Sequence, residues 1–451
     1  MSMERVTVGP DGRSFEAADK PFAPFGVNYY RPGTGWAPQV WKAFDPVATA
    51  ADFEILRDLG ANCVRVFLTF GSFTTEQGTP SAEGFDKLDA FLDIAEEHGL
   101  RVHPTGPDHW EGLPSWARTD RIADDVVLDA LELFWHEASR RYRGRGGLYA
   151  YDLLNEPSVG WDTDALRPKW AAWTRDRYGT ASAAAKAWGV SSATGSTPPV
   201  PLPDPSPSSP HLLDYQRFRE SIADEWTRRQ VAAIHAGDPD ALVTVGAIQW
   251  AVPYLLPSMT HYAAFRPSRQ APLLDFLSFH FYPLAEGMYQ YGGADARDAN
   301  LAYVEAVARE AAAPGKPVVV GEFGWYGGGS LPIRNGQRTR EASEQDQAEW
   351  CASLIDVTRG LATGWLNWGM YDQPEATDVS ALTGLLTADG EMKAWGERFR
   401  SLADDVTAGS PPRPVGARPA FDWDRFITDI DAAREYRAAY VAAVRAEAGP
   451  R

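Results

Sequence analysis

Cysteine is almost absent from this chain: its 451 residues include only Cys63 and Cys351. Two thiols so far apart build no disulfide framework, and a chain of this length has core enough not to need one. Cys63 sits in an apolar run and reads as a buried thiol. Membrane-spanning apolar runs are also missing, and the stretch from Met1 to Pro10 lacks the apolar segment of a secretory signal, so the expected location is the cytoplasm. Basic residues are in deficit. The 43 Lys and Arg against 61 Asp and Glu leave a net charge of −18, which nucleic acid would repel; beyond solubility the charge says little else. Only 8 His are present, and none has the paired spacing of a zinc site. No metal, cofactor, nucleic acid or membrane is therefore expected. Tryptophan, by contrast, is plentiful at 17 residues. Flat aromatic faces pack cores, and they also line clefts that take sugar rings.

The chain alternates between strand-like and helix-like segments. Residues 5–22 read as a small hairpin turning at Asp11-Gly12. Strands are then expected over 22–30, 62–69, 100–106, a run ending at Glu156, 242–248, 275–282, 317–322 and 363–368. Helices with apolar faces lie between them, for example after Asp45-Pro46, an N-cap followed by a first-turn proline, and over 85–98, 126–142 and 215–236. The alternation breaks once, in a long insert over 158–215. Its first half carries Trp161, Trp170, Trp173 and Trp188 on expected helices. Its second half is so rich in Pro and Ser that a surface loop is expected. The pattern is that of an α/β protein, a (β/α)8 TIM barrel, with a long insert after strand 4 and a C-terminal helical tail. The barrel with its hairpin and insert is assigned to 1–405, and a linker and docking helix to 406–451.

Polar exceptions sit at the C-terminal ends of these strands, where such a barrel displays its chemistry. The run Leu148 to Leu154 is apolar and aromatic save for Asp152, then ends on Asn155, Glu156 and Pro157, and the proline stops the strand. Taken alone, Glu156 reads equally as a helix cap beside a turn. A second carboxylate, Glu322, closes PVVVGE. A sugar acetal needs an acid to protonate the leaving oxygen and a carboxylate to meet the oxocarbenium carbon, and two glutamates on opposite barrel walls supply both. Arg65 lies inside an apolar strand, NCVRVFLT, where a charge is costly unless paired. Its partner is either a site carboxylate or a neighbouring loop. His280 and Tyr282 end the sixth strand and Trp368 the eighth.

These pieces together resemble clan A glycoside hydrolases, most nearly glycoside hydrolase family 5: RVFL with Arg65, LLNEP with Asn155 and Glu156, FHFYP with His280 and Tyr282, VVVGEFGW with Glu322, and GWLNW with Trp368. The resemblance covers residues 22 to about 400. It implies Glu156 as acid/base and Glu322 as nucleophile of a retaining enzyme. Arg65 and Tyr282 would hydrogen-bond Glu322 and keep it ionised, Asn155 would bind the hydroxyl beside the anomeric carbon, His280 would lie beside Glu156, and Trp368 would floor the reacting ring. The family's histidine after strand three has two candidates here, His103 inside the strand and His109 beside Trp110; His109 is the site candidate and His103 reads as a core histidine. Trp110, Trp161, Trp250, Trp325 and Trp365 flank these strand ends and are candidates for subsites, with plain packing as the alternative for each.

GVNYY, and the RYG and AWG segments of the insert, resemble the intracellular β-mannosidase-like branches of the family. An exo-acting β-mannosidase-like hydrolase of β-linked oligosaccharides is therefore the expectation. An endo-β-1,4-glucanase or mannanase is the alternative, and a non-catalytic sugar-binding barrel the alternative of another class. A retaining pair of carboxyl groups should stand about 5–5.5 Å apart.

Overall fold

The computed structural model describes residues 3–34, 40–108, 112–117, 120–190, 200–206, 208–285, 288–289, 294–332, 337–408 and 416–448. The chain opens with three antiparallel strands, β1 (Val6–Val8), β2 (Phe15–Ala17) and β3 (Lys20–Phe22). The expected Asp-Gly turn is present, with Asp11 Oδ1 accepting the N–H groups of Arg13 and Ser14. A second turn at Ala18 and Asp19, both at positive φ, folds a third strand onto the hairpin. Val6, Phe15 and Phe22 bury against Tyr149, Leu242 and Phe276, residues that stand just before barrel strands. The small sheet thus closes the bottom of the barrel.

The barrel strands are β4 (Phe25–Asn28), β5 (Cys63–Thr69), β6 (Arg101–Asp108), β7 (Tyr151–Asn155), β8 (Val243–Ala247) and β9 (Leu277–Phe281). After a two-stranded hairpin, β10 (Leu284–Ala285) and β11 (Met288–Tyr289), come β12 (Val318–Phe323) and β13 (Gly364–Asn367). All eight barrel strands pair in parallel and β13 closes onto β4, giving the (β/α)8 TIM barrel. Every residue of β5 is buried. Because side chains alternate along a strand, Arg65 shares its face with Cys63 and Phe67 and points into the barrel. The register of β12 against β9 shifts between Val320 and Glu322. Gly321 lies at that shift, where a Cβ would stand 2.5 Å from Ser278 Oγ, so the irregularity needs a glycine.

Side-chain caps set the helix starts. Asp45 caps α1 (Pro46–Asp58), a short α2 (Phe70–Phe73) follows, Ser81 caps α3 (Ala82–Glu97) and Asp124 caps α4 (Asp125–Arg141). The insert folds as α5 (Leu166–Tyr178) and α6 (Ala181–Trp188); residues 191–199 of its Pro/Ser-rich half lie outside the described residues. Trp170 stacks on Trp173 and Trp188, and Trp188 on His211 at 4.1 Å. The tryptophans of α5 and α6 thereby pack the insert onto α7 (Pro210–Gly237). That helix starts five residues before the expected Tyr215. Ser209 accepts the Leu212 N–H, and Pro210 occupies the first helical position, where its missing N–H costs nothing.

The outer layer continues with α8 (Pro267–Gln270), α9 (Ala294–Ala312), α10 (Glu344–Thr358), α11 (Ala394–Thr407), α12 (Trp423–Phe426) and α13 (Ile430–Ala448). In the tail, Arg418 pairs with Glu305 and Glu447, each at 2.8 Å. Tyr440 and Trp423 donate to Glu305 and Glu310 of α9. Phe421, Phe426 and Tyr436 gather around Tyr254. Among the described residues no helix is long and apolar enough to cross a membrane.

Candidate active site

Arg65 is the hub of the barrel mouth. It is fully buried, and Nη1 donates to Glu322 Oε1 at 2.6 Å and to Asn28 Oδ1 at 2.7 Å. Nε and Nη2 both donate to Asp152 Oδ2, at 3.0 and 2.7 Å, and Nη2 also donates to Asn155 Oδ1 at 3.0 Å. One guanidinium therefore ties together β4, β5, β7 and β12. The sequence predicts one site carboxylate for Arg65; the structure gives it two. Asp152 carries the same signal as Arg65, a charge in the middle of an apolar strand, and its other oxygen accepts the Gly246 N–H at 2.7 Å. Asn28 is a further site residue that sequence reasoning misses. It donates to the backbone carbonyls of Gly321 and Asn367, so it fixes the strand that delivers Glu322.

Glu322 Oε2 accepts the Tyr282 hydroxyl at 3.0 Å. Tyr282 is in turn located by its own N–H, which donates to Gln249 at 2.8 Å. Glu156 stands opposite with no Lys or Arg in contact among the described residues, and its side chain is 29% exposed. The Glu156 backbone adopts φ +47, a left-handed conformation that is strained for a non-glycine residue. Its N–H is held by the Gly246 carbonyl at 2.8 Å. His280 Nδ1 bridges the two acids, 3.1 Å from Glu156 and 3.5 Å from Glu322. Ligand oxygens of both glutamates and a ring nitrogen of His280 lie within 4.8 Å of one another.

Burial dominates the electrostatics. It pushes Glu156 up to about 7, with the Arg65 charge pulling back and the Asp108 charge adding to the rise. Burial also raises Glu322, although His280 and Arg65 oppose it and the Glu156 charge reinforces it. Arg65 divides its charge between Glu322 and Asp152, and a fully buried carboxylate starts from a large desolvation penalty. Glu322 has two direct donors, Arg65 and Tyr282, and Glu156 has no charged donor among the described residues, an arrangement that favours the proton on Glu156. Burial lowers His280 to about 4, leaving a neutral imidazole between them at pH 7.

Several other expected residues meet at this mouth. Trp368 is 8% exposed, its indole N–H donates to Ser380 at 2.8 Å, and its ring lies on Tyr30 and Phe67. Trp161 is half-buried in the loop after β7, with its ring edge on Tyr215. Trp325 does not reach the mouth. It is fully buried and packs on Tyr326 and Trp350 at 4.6 and 6.0 Å, so the expectation that it lines a subsite is corrected: its indole fills the layer under α10. His109 and Trp110 lie outside the described residues. His103 is buried, its Nδ1 2.8 Å from the Ala150 carbonyl and its ring among Tyr149 and Phe276, as a core histidine. A surface hollow of about 850 Å³ lies at the other end of the barrel among Glu4, Arg5, Glu16 and Arg145 and contains none of these groups.

A family model described as Cellulase (glycosyl hydrolase family 5) matches residues 15–373. Among solved structures, the chain is similar to a GH5_18 protein from Streptomyces cattleya in complex with GlcNAc, at 19% identity over 95% of this chain and 91% of that one, TM-score 0.64. A variant of that protein was solved with Manβ1-4GlcNAc. An exo-β-1,4-mannosidase from Opitutaceae bacterium strain TAV5 matches at 22% identity over 89% and 63% of the two chains, TM-score 0.62. A β-galactosidase from Rahnella sp. R3 matches at 17% over 94% and 64%, TM-score 0.70. At these identities the likeness is one of fold. A β-xylosidase from Phanerodontia chrysosporium is 28% identical over 140 residues, and the match spans only 27% of that relative's length.

Proposed function

The chain belongs to glycosyl hydrolase family 5 and is an O-glycoside hydrolase, and from that premise we propose a retaining exo-β-mannosidase that removes single sugars from short β-linked oligosaccharides. The observation that carries the retaining part is the proximity of the two acids, whose oxygens come within 4.8 Å. An inverting pair stands about 6.5–9.5 Å apart to admit a water, and the approach of these oxygens supports the closer, retaining arrangement.

In this reading Glu322 attacks the anomeric carbon. Arg65 and Tyr282 each donate to one of its oxygens, which orients the carboxylate and favours its ionised form. Glu156 gives its proton to the departing glycosidic oxygen as the glycosyl–Glu322 ester forms. It then takes a proton from the incoming water, which attacks the same carbon and returns Glu322 as carboxylate. A carboxyl whose proton leaves near pH 7 suits both steps. Asn155, held by Arg65, is placed to bind the neighbouring sugar hydroxyl. Trp368 offers an aromatic floor.

The choice of mannose and of exo action draws on the fold likeness to an exo-mannosidase and to a protein solved with Manβ1-4GlcNAc. The insert adds support, because its stacked tryptophans make a solid layer beside the acid's loop, which suits a walled pocket. A cytoplasmic site of action is part of the reading, and the two free, buried thiols suit a reducing compartment. A screen of nitrophenyl glycosides tests the sugar. β-Mannoside should be cleaved with at least a tenfold higher kcat/KM than β-glucoside or β-galactoside. A preference for β-galactoside would overturn the mannose assignment and leave the retaining chemistry standing.

A further inference from the structure

The loop that leaves Glu156 is not held by regular structure. It is held by a buried arginine, Arg219 of α7, which is fully buried. Its Nε donates to the Gly160 carbonyl at 3.1 Å and its Nη2 to the carbonyls of Val159 and, at 2.7 Å, Tyr262. Its Nη1 donates to the Gln216 side-chain oxygen at 2.7 Å. All four acceptors are uncharged. A buried guanidinium without a carboxylate in contact is costly, and here it satisfies backbone carbonyls that a buried irregular segment would otherwise leave unpaired. Two of those carbonyls follow Glu156 by three and four residues; the third belongs to the loop after β8.

Arg219 also holds a side chain. Its guanidinium lies 5.5 Å from the centroid of the Trp161 ring, a cation–π contact. The Trp161 ring edge meets Tyr215 at 4.9 Å, and the Tyr215 hydroxyl donates to the Trp161 carbonyl. One face of the indole is therefore taken by the cation, and the Tyr215 ring stands nearly perpendicular to it. The residue is nonetheless only half-buried, so part of it stays open to solvent. Trp161 belongs to the loop that leaves the acid, five residues after Glu156, and the acid's side of a glycosidase is where the leaving group sits.

We infer that Arg219 is a positioning residue for the leaving-group side of the site: it fixes Trp161 as a platform on which the departing sugar of a β-linked oligosaccharide stacks. This rests on the glycosidase reading with Glu156 as acid. The guanidinium touches neither substrate nor reacting atoms. It acts by holding the loop and one face of the ring, so its removal should be felt according to what the leaving group is.

The test compares two substrates of the glycon that the screen selects: a β-1,4-disaccharide, whose leaving group is a sugar, and the β-glycosyl fluoride, whose leaving atom reaches no platform. In Arg219→Met the ratio of kcat/KM for disaccharide to that for fluoride should fall at least tenfold, chiefly through a higher KM. Trp161→Ala should show the same fall, and the double variant no further fall, because both changes remove one platform. Arg219→Lys, which keeps the charge but loses the fork, should recover part of the ratio. Equal losses on both substrates, or additive losses in the double variant, would overturn the inference. If Arg219→Met does not fold, Trp161→Ala and Arg219→Lys still decide it, since an unchanged ratio in both contradicts the platform. Turnover of both substrates by the unaltered protein tests the glycosidase reading by itself.

Discussion

Replacing Arg65 with methionine removes a cation that two buried carboxylates share, and its consequences for rate and for stability separate cleanly. Glu322 loses a guanidinium at 2.6 Å, and such a neighbour lowers a carboxyl pKa by about 1–3. Burial already raises Glu322. Its value therefore climbs further above the usual carboxylate range. The nucleophile must be ionised, so activity disappears as pH falls through its pKa. The acidic limb of kcat/KM should move to higher pH by about 1–3. At pH below the unaltered protein's own limb the variant should be about 10- to 1000-fold slower, and the loss should shrink steadily between that limb and the displaced one. Breaking a buried pair costs about 3–5 kcal/mol. For 451 residues, an unfolding entropy of about 2.1 cal/mol/K per residue makes 1 kcal/mol worth about 1 °C. The melting temperature should thus drop by only about 3–5 °C, and the variant stays assayable. Asp152→Asn is the companion. It breaks the other half of the network and should cost similar stability, yet it leaves the whole Arg65 charge to Glu322, so its acidic limb should move down. The assay is the pH dependence of an activated aryl glycoside, paired with a thermal melt. An acidic limb that stays in place in Arg65→Met, or a rate loss equal at every pH, would refute the reasoning.

Glu156→Ala should lose unactivated substrates far more than dinitrophenyl glycosides, and azide should restore turnover with release of a β-glycosyl azide; Glu322→Ala should be inactive on both, and matching behaviour of the two variants would void the assignment of roles. The general acid must be protonated, so kcat/KM should fall as pH rises through about 7, the Glu156 value. The Asp108 charge contributes to that value, so Asp108→Asn should move the alkaline limb to lower pH in the same titration. Time courses on mannohexaose should show single sugars first, and early mixed di- and trisaccharides would mean an open, endo-acting cleft.

The barrel is legible in the sequence because its strands are apolar runs broken only at their ends, and because helices begin at Asp45-Pro46 and after similar capping residues. Arg65 is legible as a charge where none should be. Asp152 carries the same mark, but its meaning depends on the register that sets Thr105 beside Asp152 and Asn28 beside Arg65, which no linear reading supplies. Trp325 and Trp368 look alike in sequence, each just beyond a strand end. Only the packing separates them: one fills the space under α10 and the other keeps a partly open face. The rise in Glu322 is invisible for a related reason. The sequence shows which cation is available, whereas the direction in which the carboxyl moves is decided by how deeply it is buried and by how many anions share the cation. The start of α7 is hidden by composition, since the Ser209-Pro210 cap lies in a stretch whose other prolines read as loop.

The configuration of the first-formed product tests the pairing of Glu156 and Glu322 most directly. Proton NMR of β-glycoside hydrolysis, followed within the first minutes, reads the anomeric signal before mutarotation. Two carboxylates within 4.8 Å predict that the β-anomer of the free sugar appears first and decays toward equilibrium. If the α-anomer appears first, water attacks the sugar directly, Glu322 is not a nucleophile, and the account of the site is wrong.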